Sequence, residues 1–209
     1  MITRIDADRE LIPAAATFPR MRLSIAGLAG LLLTACAGPS FNGVSLDPPE
    51  RAPLLQLADS GGAPFDLADE RGKVVLVFFG YTHCPDICPT TLLDWRRAAD
   101  LLGRKADDVR FVFVSVDPER DTPAATQRYA ARFLPRIVGL TGTRPQIDAM
   151  LSTWKLASYR DGIPGDTSMV YTVSHPSQVF VVDRAGQLRL LHRAELTPAQ
   201  VAADIKELL

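Results

Sequence analysis

The chain has 209 residues, 47% of them hydrophobic and 22% charged, with a formal net charge of −1. Those proportions exclude a disordered or fibrous polymer and fit one ordinary globular domain. With charge near zero and no basic stripe along any segment, nothing in the sequence supplies the electrostatic footprint that nucleic-acid binding needs.

The amino-terminal region reads as an export signal. Met21-Arg22 stands before Leu23–Thr34, an apolar run of 12 residues, too short to span a bilayer but of the length of a signal-peptide hydrophobic region behind a positive start. Leu33-Thr34-Ala35-Cys36 resembles a bacterial lipobox, in which the cysteine is lipidated and becomes the first mature residue. Asp6, Asp8 and Glu10 fit badly ahead of such a signal, so translation is expected to start at Met21. Residues 1–35 are thus read as signal peptide and 36–52 as a lipidated end and flexible tether. The tether reading rests on the Gly, Pro, Ser and Asp of Pro39–Pro53. Residues 53–209 remain as the folded domain. Acylation at Cys36 is expected to fix the protein to the bacterial cell envelope, facing the periplasm.

Beyond the tether, strand and helix signals alternate. Val74–Tyr81 is a continuous apolar, β-rich run, as in a strand buried on both faces. Pro89 opens a helix whose stripe is Leu92, Trp95, Ala99 and Leu102. Arg110–Val116 is a second buried run. Thr122-Pro123 caps a helix bearing Tyr129, Ala130 and Phe133, and Ile137–Leu140 is a short apolar run. Thr143 and Gln146 have capping-box spacing ahead of Ile147, Met150, Leu151 and Trp154. Gln178–Val182, a turn at Asp183–Gly186 and Gln187–His192 form a closing hairpin. Thr197 and Gln200 repeat the box before Val201, Ile205 and Leu208. The order predicts an α/β domain, a mixed sheet with helices on both faces.

The chemistry concentrates in Phe78-Phe79-Gly80-Tyr81-Thr82-His83-Cys84-Pro85-Asp86-Ile87-Cys88-Pro89. A buried strand delivers two thiols to its carboxyl edge at the start of a helix, the place where open α/β sheets put their ligands. The helix dipole there favours thiolate at one or both sulfurs. Pro85 and Pro89 predict both thiols on a loop, facing outward together. With Cys36 lipidated, Cys84 and Cys88 have only each other or a metal as partner, in a compartment outside the reducing cytosol. Three residues separate them, one more than in a Cys-x-x-Cys oxidoreductase, so the pair can close a redox disulfide or chelate one soft ion. Thiolates select Cu(I) or Zn(II), and an imidazole suits either as third ligand. The candidate is His175, in the loop before the Gln178–Val182 strand. His83 adjoins Cys84 and reads either as a group that tunes its pKa or serves as a spare ligand, or, as the favoured reading, as a neighbour without a fixed role; His192 carries no assignment.

The Cys-Pro-Asp-Ile-Cys-Pro element, the run Val116-Asp117-Pro118-Glu119-Arg120-Asp121-Thr122-Pro123, and a lone His before a strand ending at Asp183 together resemble the Sco/SenC family over roughly residues 50–209. The resemblance implies a thioredoxin-like fold. It implies one copper ion, Cu(I) or Cu(II), bound by Cys84, Cys88 and His175. It also implies a part in building the dinuclear copper centre of cytochrome c oxidase subunit II, with a periplasmic copper donor or thiol reductant as further partner. Most such proteins carry a membrane-spanning anchor, whereas this chain carries the lipobox. Asp117, Arg120 and Asp121 are either a solvated loop with a helix cap or, as the family motif suggests, a support beside the dithiol that orients His175 or meets a partner.

Two functions use the same thiols: a copper chaperone working by ligand exchange, and a thiol-disulfide oxidoreductase that keeps the cysteines of subunit II reduced. His175 separates them, because dithiol exchange has no need of it. A peroxidase would want a Thr three positions before its Cys, and Tyr81 stands there instead.

Overall fold

Val74–Gly80 is buried at every position, which requires a strand covered on both faces and paired along both edges. The computed structural model describes residues 40–161 and 171–209. In chain order these form β1 (Val44–Arg51), β2 (Gln56–Ala58), β3 (Pro64–Asp66), β4 (Val74–Gly80), α1 (Ile87–Leu102), β5 (Val109–Ser115), α2 (Pro123–Ala131), β6 (Val138–Leu140), α3 (Arg144–Thr153), β7 (Tyr159–Asp161), β8 (Thr172–Ser174), β9 (Val179–Val182), β10 (Gln187–His192) and α4 (Pro198–Leu208). The signal segment, Met21 and Cys36 lie outside the described residues. Among the described residues, no helix is long and apolar enough to cross a membrane.

The main sheet runs β1-β10-β9-β4-β5-β6. β4 pairs parallel with β5 and antiparallel with β9, so the sheet is mixed. Consecutive side chains of a strand point to opposite faces, and the rings show which helix covers which. Phe78 meets Trp95 of α1 edge-on at 6.3 Å, while Phe113 on the same face meets Tyr129 of α2 at 5.6 Å. Phe79 points the other way, to Trp154 just past α3 at 5.1 Å, and Phe180 joins them there. α4 packs beside α1. Helices on both faces of a mixed sheet are the thioredoxin-like arrangement the sequence predicts.

The caps form as expected. Thr122 Oγ1 accepts from Ala125 N, and the Thr143/Gln146 and Thr197/Gln200 boxes both close. At the β9–β10 turn Gly186 takes φ +81°, a value that favours glycine, while Asp183 Oδ1 accepts from Ala185 N and Gln187 N.

Three features differ from the sequence reading. Val44–Arg51, expected inside the tether, is an edge strand antiparallel to β10. Its two prolines and its charges hide it, because an edge strand needs partners on one side only and tolerates proline on the other. The short hairpins β2–β3 and β7–β8 are too brief and too exposed to leave a periodic signal. α2 and α3 end before Phe133 and Trp154, which continue the apolar stripe from outside the helix.

The amino end of β1 is clasped from α4. The buried Asp204 carboxylate accepts from Asn42 N and Nδ2 (both 2.8 Å), from Gly43 N (2.9 Å) and from His192 Nε2 (2.9 Å). Burial opposes the charge, but these donors outweigh it and hold the carboxyl at about 2 instead of 3.8. A depressed carboxyl contributes stability above its unfolded value and gives it up as pH falls toward the folded one. That contribution, about 2 kcal/mol, should be complete above about pH 5 and lost between about pH 4 and 2. Asp204→Asn is therefore expected to lower the melting temperature at pH 7 by about 4–8 °C and to flatten the acid limb of a stability-against-pH curve. An acid limb identical to the parent's would contradict this.

Candidate metal centre

Three loops meet at one edge of the sheet. Gly80, the last residue of β4, pairs with Ser115 at the end of β5, and Phe78 pairs with Val179 at the start of β9. The segment before Cys88, the segment after Ser115 and the segment before Val179 therefore emerge side by side.

Cys84 sits in the loop, in a turn closed by its N–H donating to Tyr81 O at 3.2 Å. Cys88 lies in the first turn of α1, which begins at Ile87, earlier than Pro89 suggests. Proline is accepted within a first turn, where its missing N–H has no intrahelical acceptor to lose. The expectation of two outward-facing loop thiols is corrected accordingly: Cys88 is 0% exposed and Cys84 9%. A Cβ on Gly80 would collide with the Cys88 sulfur and the Phe113 ring, so glycine is what allows the sulfur to lie against the strand end. Both cysteines are free thiols.

His175 follows β8, half-buried, with its ring edge-on to Tyr81 at 5.5 Å and to Phe78 at 6.0 Å. Its Nδ1 lies 2.9 Å from Pro176 O. A carbonyl only accepts, so Nδ1 carries a hydrogen, and Nε2 is turned toward the thiols, 3.8 Å from Cys88 Sγ. Although Cys88 and His175 are 87 residues apart, the two sulfurs and the imidazole nitrogen lie within 4.8 Å of one another. Ligands about 2.0–2.3 Å from one ion at trigonal angles stand about 3.5–4 Å apart, so a slight contraction closes this set on a soft cation.

The two thiols are electrostatically unequal. Hydrogen bonds from the Cys88 thiol and from His175 hold Cys84 at about 3, against the effect of burial. Burial pushes Cys88 up, and its role as donor to Cys84 pushes it further. Burial opposes a charge on His175, but hydrogen bonds to Cys84 and to the Pro176 carbonyl prevail and raise it. One thiolate thus faces a space that attracts a proton or a metal ion alike.

The loop after β5 supports both halves of this arrangement. Asp117 and Asp121 are each 1% exposed, so the reading of this loop as solvated does not hold. Asp121 accepts from Thr82 N at 2.8 Å, Thr82 Oγ1 at 2.6 Å and Ser115 Oγ at 2.5 Å, pinning the cysteine loop. Asp117 accepts from Arg120 Nε at 2.5 Å and from the Tyr171 hydroxyl at 2.6 Å. Arg120 also donates from Nη1 to Tyr171 O at 2.9 Å and lies 3.6 Å over the Tyr171 ring. Burial, and then the bond to Asp117, push the Tyr171 phenol up to about 12. Tyr171 leads into β8 and so into His175. Sequence reasoning did not single out Thr82, Ser115 or Tyr171 as supports, because each acts through hydrogen bonds to the buried Asp117–Asp121 loop, whose burial the sequence does not show. His83 is exposed beside Cys84, and His192 is paired with Asp204.

The SCO1/SenC family model matches residues 47–209, and the chain belongs to that family. It is 37% identical to protein SenC of Rhodobacter capsulatus over 155 residues, covering 69% of this chain and 68% of that one. It is 31% identical to an SCO2-like protein of Rickettsia felis over 153 residues, 73% and 74% of the two chains. Among solved structures, copper-bound ScoI of Bradyrhizobium japonicum superposes with TM-score 0.68 at 35% identity, covering 77% of this chain and 99% of that one. Apo Sco1 of Thermus thermophilus gives 0.74 at 38%, covering 83% and 99%.

The clamp on Thr82 makes Asp121 the natural test of the support. Asp121→Asn places a donor where two hydroxyls and an N–H already donate, and is expected to weaken Cu(I) binding about 10–100-fold with the circular-dichroism spectrum retained. Affinity within twofold of the parent would show that the loop needs no such clamp.

Proposed function

We propose that this chain is a copper carrier of the bacterial envelope, anchored through lipid on Cys36. In this reading it holds one copper ion between Cys84, Cys88 and His175 and passes it by ligand exchange to cytochrome c oxidase subunit II during assembly of the dinuclear copper centre. The observation that carries this reading is the convergence of two sulfurs and one imidazole nitrogen within 4.8 Å, a donor set suited to Cu(I). Membership of the SCO1/SenC family supports it, as does the copper in the ScoI structure of Bradyrhizobium japonicum. Release is also built into the positions of the ligands. Cys88 is sealed in the core, while Cys84 and His175 lie at the sheet edge, where an incoming thiolate can replace them one at a time. Uptake displaces the proton on Cys88, so it is coupled to proton release.

His175→Ala is expected to weaken Cu(I) binding at least about 100-fold while leaving reduction of a small disulfide unchanged. X-ray absorption on the loaded parent is expected to count two sulfurs and one nitrogen per copper. Full affinity in the variant would remove the imidazole from the site and the carrier reading with it.

The inequality of the thiols favours thiol-disulfide exchange as a second reading. Cys84 thiolate attacks a partner disulfide and releases one partner thiolate. Cys88 then loses its proton and attacks the Cys84 sulfur, closing an intrachain disulfide and freeing the second partner thiol, with two electrons passing to the partner. A thiol reductant resets the pair. Copper uptake by the protein oxidised at Cys84 and Cys88 is expected to be nil, because a disulfide offers no thiolate; a titration showing one equivalent bound would contradict the carrier reading.

A further inference from the structure

The Thr82 hydroxyl lies between His83 and Asp121, whose Nδ1 and Oδ1 are themselves 3.6 Å apart, and the order of its hydrogen bonds fixes the state of the His83 ring. The Thr82 hydroxyl has a single proton, which it gives to Asp121 Oδ1 at 2.6 Å. Asp121 also accepts from Thr82 N and Ser115 Oγ. Toward His83, whose Nδ1 lies 3.0 Å away, the Thr82 oxygen can therefore only accept. Nδ1 then carries the hydrogen, and the lone pair of the ring is left on Nε2. The His83 side chain is 56% exposed, whereas the carboxylate behind it is fully buried. A buried carboxylate, a hydroxyl and an Nδ1–H in series are the kind of outer support that orients a metal-binding imidazole and raises its basicity. His175 shows the same polarity, with Nδ1–H on Pro176 O and Nε2 turned toward the thiols. His83 is not among the three ligand atoms that converge; it stands outside them, next in sequence to Cys84.

We propose that His83 Nε2 is an outer docking ligand at which copper is first received, before it moves inward to Cys84, Cys88 and His175. This rests on the carrier reading and deepens it. In the inward step the copper–Nε2 bond of His83 breaks as a copper–sulfur bond to Cys84 forms. Each ligand keeps its own electron pair and the metal keeps its oxidation state, so no oxidant or reductant takes part. His83 thereby sets the rate of loading and leaves the final affinity to the three inner ligands.

The test is stopped-flow loading of the reduced protein with Cu(I) supplied as its bathocuproine disulfonate complex, alongside equilibrium competition with the same chelator. His83→Ala is expected to slow loading about tenfold while equilibrium affinity stays within about twofold. His83→Gln keeps an N–H to donate to Thr82 but has no imidazole nitrogen, and is expected to be as slow as the alanine variant. His83→Met supplies a soft thioether without that donor and is expected to recover most of the rate. Parent-like loading in His83→Ala, or recovery by Gln in place of Met, would overturn the docking role. Loss of equilibrium binding in the parent itself would instead overturn the carrier reading.

Discussion

Two carboxylates buried at the carboxyl end of β5 hold the rest of the site in place. Asp121 grips the backbone and hydroxyl of Thr82, and Asp117 with Arg120 grips Tyr171. The first bond fixes the loop that presents Cys84, the second the arm that presents His175. Because both carboxylates sit on one five-residue stretch after one strand, the distance between the sulfurs and the imidazole is set by a rigid common base. Buried charges of this kind are costly unless every lone pair is used, and here hydroxyls, an N–H and a guanidinium use them.

The same edge accounts for the inequality of the thiols. Cys88 belongs to a helix whose first turn lies under the sheet, against a glycine, so its sulfur is desolvated and keeps its proton. Cys84 belongs to a loop, and it receives what Cys88 and His175 donate. A pair of equally exposed cysteines would share the charge and bind one another as readily as a metal. The inequality leaves one thiolate ready and one sulfur in reserve, and a copper-exchange site and a redox dithiol can use it alike.

Much of this is legible in the sequence alone. The strands Val74–Gly80 and Val109–Ser115 are written as unbroken apolar runs, and each of the last three helices announces itself with Thr-x-x or Thr-x-x-Gln spacing that the structure honours. The cysteine motif and the lone His before a strand were readable because local order and strand topology fix where they go. Less was visible of features that depend on depth. Whether Cys88 points out or in turns on two residues of helix register around Pro89. Whether Asp117–Asp121 is a surface loop turns on burial by segments 39 and 54 residues away, to which sequence periodicity is blind. Val44–Arg51 escaped for a third reason: an edge strand held by backbone bonds places little demand on its side chains.

The clasp on Asp204 also determines where the polypeptide leaves the sheet. Asn42 and Gly43 lie beside His192, whose strand partner is Val179, the residue that opens β9 just after His175. The amino terminus therefore departs from the same edge as the thiols. Five residues separate Asn42 from Cys36, a leash of at most about 20 Å when fully extended. Under the lipid anchoring proposed for Cys36, so short a leash would keep the domain near the bilayer, and an encounter with another membrane-bound protein would become a search by lateral diffusion over a surface instead of through a volume.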